Sequence, residues 1–139
     1  MMTKIVYNAC YGGFGLSHEA VLRYAELKGI KLYHEVQFGM HTYYLIPVEE
    51  YNRIRAKEEA KPIAPDRFKE SNAAYFSPTS IKRSDPILVQ VVEELGDRAN
   101  DLYANLRVKY IPAGTLYRIE EYDGYESIIT RDEYDWSVA

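Results

Sequence analysis

The chain has one cysteine, Cys10, in 139 residues, so no disulfide can form within it. It has no apolar run long enough to span a bilayer. Its first residues, "MMTKIVYNAC", lack the apolar core of a secretory signal. These absences set the expectation of a cytosolic protein with no membrane partner. A basic excess is missing too: 17 Lys and Arg stand against 21 Asp and Glu, a net charge of −4. Binding a nucleic-acid polymer rests on a basic surface that releases counterions, so that class of partner is not expected. A small anionic ligand needs only two or three well-placed arginines and stays open. The length fits a single domain, and 47% apolar residues suffice for a core.

Tyrosine is abundant, with 14 residues. Each offers a flat apolar face and a polar tip, suited to stacking on bases or filling subunit contacts, and equally to lining strands.

Residues 3–9, "TKIVYNA", read as a strand that ends at Gly12, Gly13 and Gly15. Ser17 then caps a helix with Glu19 in its first turn, Ala20, Val21, Tyr24 and Leu27 at helical spacing, and Gly29 as the stop. "IKLYHEVQF" and "TYYLIPV" read as strands around a turn at "FGMH". "EEYNRIRAKEEAK" predicts a charged surface helix with Arg55 and Glu59 four apart, and the proline-bearing stretch 61–84 has no period and reads as a mobile loop. Asp85-Pro86 is a strong helix start, followed by a stripe of Ile87, Leu88, Val91, Val92, Leu95 and Ala99, with Gly96 inside it. The last third reads as a meander: "NLRVKYI", a "PAGT" turn, "LYRIEEY", the hairpin pair Asp123-Gly124, then "YESIIT". Two main helices and several antiparallel strands predict an α+β domain.

The glycine cluster in "YNACYGGFGLSHEAV" has neither the lysine of a P-loop nor the spacing of the dinucleotide fingerprint. It reads as a turn, with anion binding at the following helix start as the alternative. His18, His34 and His41 lack metal-ligand spacing, so no metal and no cofactor are expected. Glu93-Glu94 and Glu120-Glu121 are adjacent, hence divergent, and make no acid/base pair. No catalytic residue is assigned. What remains is an amide, arginines and aromatics around the 85–100 helix and the meander: Asn100, Tyr103, Arg118, Tyr122 and Arg131. Such a set suits a nucleotide, with Arg118 and Arg131 on phosphate, Tyr103 or Tyr122 on a base and Asn100 on a polar edge. The plainer alternative pairs Arg118 with Glu120 or Glu121. Arg23, on the flank of the first helix, is a candidate for a second anion site.

Three phrases, "KIVYNACYGGFGLSHEAVLRYAELKG", "RSDPILVQVVEELGDRAN" and "LRVKYIPAGTLYRIEEYDGYE", occur in this order. Together they resemble the first type of Thoeris anti-defence family, small phage-encoded proteins, over roughly the first 30 residues and 83–126. The resemblance implies a sponge that sequesters cyclic ADP-ribose isomer signals (gcADPR type) of bacterial Thoeris TIR proteins without cleaving them. Some members also hold cyclic oligonucleotide signals of the CBASS system. It further implies a homo-oligomer, dimer or higher, in the cytoplasm of the infected host, with pockets near subunit contacts. Arg83-Ser84-Asp85-Pro86, Gly96, Asn100 and "EEYDG" match the family pattern, which places Asp85 in the ligand set. The family's histidine-arginine pair before a tryptophan is replaced here by "TRDEYDW", with Arg131 and Trp136 but no histidine. The rival expectations are a phosphodiesterase-like enzyme that degrades such signals, and a tyrosine-rich accessory protein that binds only protein.

Overall fold

The structure is a computed structural model and describes residues 1–131; Trp136 lies outside them. The fold is mixed α+β with antiparallel sheets and four α-helices among the described residues. No helix there is long and apolar enough to cross a membrane. The chain divides into two compact units, one made of Met1–Tyr24 with the chain from Pro78 on, the other of Ala25–Ser77.

The first unit is built on β1 (Met2–Asn8), which pairs antiparallel with β5 (Leu106–Pro112) along its whole length, from Met2 opposite Pro112 to Asn8 opposite Leu106. The meander expected from the sequence is therefore corrected: β5 lies beside β1, and β6 (Tyr117–Tyr122) with β7 (Tyr125–Thr130) forms a separate hairpin. Adjacency in sequence is only a tendency of strand pairing, and here burial of the apolar first strand decides. Ile5 and Val6, which point to opposite faces of β1, are both fully buried. Ile5 packs with Ile111 and Ile128, and Tyr7, Tyr117 and Ile119 close over them.

Helix α1 (His18–Lys28) starts where Ser17 turns its hydroxyl to the backbone N–H of Ala20 at 3.1 Å. Helix α4 (Pro86–Leu95) starts on Asp85, whose carboxylate accepts the N–H of Ile87 at 2.8 Å, with proline at the first turn where no donor is needed. Its buried stripe is Leu88, Val89, Val91 and Val92, packed on β1 and β5. Gly96, at φ 58°, ends the helix, and a single 3₁₀ turn, Gly96–Ala99, follows.

The second unit holds the three-stranded sheet β2 (Tyr33–Gln37), β3 (Met40–Tyr44), β4 (Tyr75–Phe76), with α2 (Val48–Glu59) and α3 (Lys69–Ala74). Arg55 and Glu59 pair at 3.5 Å as their spacing predicts. Residues 61–84 carry regular structure despite their lack of period, because short-range ties suffice: Arg67 donates to the Glu58 carbonyl at 3.0 Å, and Arg55 lies over the Phe68 ring at 3.7 Å.

An enclosed ion pair in the first unit is the bidentate pair of Arg83 with the buried Glu126, at 2.5 and 2.9 Å. The guanidinium also lies 3.5 Å over the Phe14 ring. Breaking one side of such a pair leaves the other charge buried. Glu126→Gln is expected to lower the unfolding free energy in urea by about 3 kcal/mol. Glu120→Gln, on the exposed face, is expected to cost under about 1 kcal/mol.

Candidate functional site

At the Asn8 end of β1 three loops converge, and a single side chain ties them. Asn8 is fully buried. Its amide nitrogen donates to the carbonyls of Cys10 at 2.7 Å and Gly124 at 2.9 Å, and its amide oxygen accepts the N–H of Asn105 at 2.8 Å. Its own backbone N–H donates to Glu126 at 2.9 Å, which joins this clamp to the Arg83–Glu126 pair.

The glycines let the loops touch. A Cβ at Gly12 would overlap the Cβ and carbonyl of Tyr103, and one at Gly15 would sit 2.8 Å from the Asp101 carboxylate. Gly124 meets the backbone of Tyr11 and Gly13 in the same way. The cluster in "YGGFG" is thus a packing surface for residues 101–103 and for the hairpin tip. Asp123 (φ 50°) and Gly124 (φ 88°) form the two-residue turn with both central residues at positive φ that the pair Asp-Gly favours.

These contacts hold a patch of tyrosines facing solvent: Tyr11 is 63% exposed, Tyr103 68% and Tyr122 78%. Tyr125 stands opposite Tyr122 across the hairpin, so both side chains leave the same face. The Tyr11 and Tyr125 rings are 5.3 Å apart and tilted by 47°. Along β6 the alternation puts Arg118, Glu120 and Tyr122 on this outer face and Tyr117 and Ile119 on the inner one. Four residue steps separate Arg118 from Tyr122, about 14 Å. Arg131 directly follows β7 at the Arg118 end, where its N–H donates to the Leu116 carbonyl at 3.0 Å. The outer face therefore has cations at one end and aromatic rings at the other.

Arg118, Asn100, Asp85 and Arg23 each have a partner within the chain. Arg118 pairs with Glu120 at 2.6 Å, along its own strand. The Asn100 side chain accepts the N–H of Leu106 at 2.7 Å and so shapes the loop that carries Tyr103. Asp85 caps α4 and accepts the Tyr24 hydroxyl at 2.6 Å. Burial first, and then that hydrogen bond to Asp85, hold the Tyr24 phenol well above its ordinary pKa. Arg23 pairs with Glu94 at 3.1 Å and lines a cleft of about 980 Å³ with Met2, Lys4, Gln90 and Glu93. That cleft sits at the Met2 end of β1, opposite the tyrosines, and Lys4 there is paired with Glu93 at 2.9 Å. An anion entering it would meet two carboxylates as well as two cations.

Tyr11, Tyr125, Asn8 and Glu126 are not among the candidates read from the sequence, and Arg83 enters there only through the family pattern. An asparagine closing an apolar strand was a usable signal for Asn8, since a buried amide must find partners. Compared with protein-family models, curated proteins and solved structures, the chain matches none.

The clamp has a direct test. Asn8→Asp keeps the shape and the acceptor for Asn105 but replaces two donors with acceptors that face carbonyls. It is expected to lower the unfolding free energy by about 3 kcal/mol, read by urea denaturation, because a buried and a part-buried carbonyl lose their donor.

Proposed function

We propose that the protein binds and sequesters a small cyclic nucleotide-type signal without breaking it. The observation that carries this reading is the outer face of the β6–β7 hairpin, where solvent-facing tyrosines stand about 14 Å from Arg118 on a clamped backbone. Base stacking on a tyrosine contributes about 1–3 kcal/mol per base, and arginine holds a phosphate bidentately. A phosphate at Arg118 takes the place of Glu120, an exposed partner whose loss costs little. Clamped loops lose little freedom on binding, which favours affinity.

The resemblance to the Thoeris anti-defence family supplies the ligand class: cyclic ADP-ribose isomers of the gcADPR type, with cyclic oligonucleotides as a second class to screen. In that setting the protein works in the cytoplasm of an infected bacterium, is not an enzyme, and needs no cofactor. Competing for a scarce signal calls for nanomolar binding, about −12 kcal/mol, which a small ligand reaches only when largely enclosed. One exposed sheet face gives one wall. In this reading a second copy of the chain gives the other, which makes the active form a homo-oligomer.

Titration calorimetry with a panel of cyclic ADP-ribose isomers tests the proposal. Tyr122→Ala and Arg118→Ala are each expected to weaken binding by about tenfold, in line with the loss of one stacked base or one phosphate contact. Both are exposed, so the melting temperature without ligand stays the same. Ligand released by heating the complex is expected to be chemically intact. Altered ligand would support the phosphodiesterase-like reading, and no binding by any nucleotide would support the protein-only one.

A further inference from the structure

The second unit carries a histidine pair that the chain's sequence spacing hides. The turn between β2 and β3 is the two-residue loop Phe38-Gly39, with both residues at positive φ (52° and 77°). A two-residue loop of this kind fixes register. It sets His34 opposite Tyr43 and Val36 opposite His41. Side chains alternate along a strand, so His34 and His41 leave the same face as diagonal neighbours. Their rings are 5.6 Å apart and only 24° from parallel, and a coordinating nitrogen of each lies within 4.8 Å of one on the other. The Tyr43 ring is buried and runs nearly parallel to both, 6.2 Å from His34 and 6.4 Å from His41. Both imidazoles are exposed, so an ion in solution reaches them.

We propose that His34 and His41 form a two-histidine site for a borderline divalent transition metal such as Zn²⁺, Ni²⁺ or Cu²⁺. Two Zn–N bonds of about 2.0–2.1 Å at a tetrahedral angle span about 3.3 Å between the nitrogens. Small rotations of two exposed rings close the gap from the observed separation. Imidazole ligands select these ions over Mg²⁺ and Ca²⁺, which take oxygen. Two protein ligands leave coordination positions open to water or an added ligand. The inference does not depend on the nucleotide reading, which concerns the other unit.

The test uses the full chain. Isothermal titration with ZnCl₂ is expected to show binding that weakens at least tenfold in His34→Gln and in His41→Gln, while MgCl₂ gives no heat of binding. On the unmodified protein, Ni²⁺ is expected to broaden the ring-proton NMR signals of His34 and His41 before the side-chain CH₂ signals of exposed Asp and Glu residues, a readout that needs no variant. Zn²⁺ affinity unchanged in the His34→Gln/His41→Gln double variant, or Ni²⁺ broadening that spares both rings, would overturn the proposal.

Discussion

Three loops of the first unit hang from one buried amide. Asn8 has two donors and an acceptor, and each is used on a different stretch of backbone: the glycine loop, the β6–β7 tip and the segment before β5. A buried amide left without partners would cost several kcal/mol, so the loops and Asn8 constrain one another. Glu126 extends the clamp by accepting the Asn8 N–H, and Arg83 balances its charge in turn. Gly12, Gly15 and Gly124 fit this arrangement because a Cβ at any of them would push the loops apart.

The clamp gives the tyrosine face its character. An exposed aromatic on a loose loop binds poorly, because the loop must be ordered each time a ligand arrives. Here the polar network lies beneath Tyr11, Tyr103, Tyr122 and Tyr125, and the rings above it stay open to solvent. Charge in the first unit is largely matched. Arg83, Arg23, Lys4 and Arg118 all face carboxylates. Of these pairs, Arg83–Glu126 is the most enclosed and Arg118–Glu120 the most exposed, which favours Arg118 for the proposed anion capture.

Much of the secondary structure was legible because its signals are local. Asp85-Pro86 starts a helix, Gly29 follows one, and Asp123-Gly124 turns a hairpin. The α+β class and the outward face of Arg118 and Tyr122 follow from simple periodicity. Pairing of β1 with β5 was not legible, since it joins residues about a hundred apart and no short-range pattern encodes it. The part played by the glycine cluster was hidden for the same reason: its partners, Asp101 and Tyr103, are distant in sequence. The sequence "FGMH" puts His41 in a turn, whereas the tight Phe38-Gly39 loop places it on a strand beside His34. Phenylalanine is an unusual residue at positive φ, so propensity gave no hint of that register. Of the exposed tyrosines, Tyr103 and Tyr122 stand out in the sequence as aromatics beside the 85–100 helix and on the outer face of β6. Tyr11 and Tyr125 do not, because they join the patch only through the clamp.

The central claim is that an intact nucleotide lies on the clamped tyrosine face. Intermolecular NOE measurements on the protein with a bound cyclic ADP-ribose isomer test it most directly. The account predicts contacts from the adenine ring protons to the rings of Tyr122 and Tyr125 or their neighbours Tyr11 and Tyr103. Adenine contacts confined to the Arg23 cleft or to the second unit, with none to these tyrosines, would contradict it.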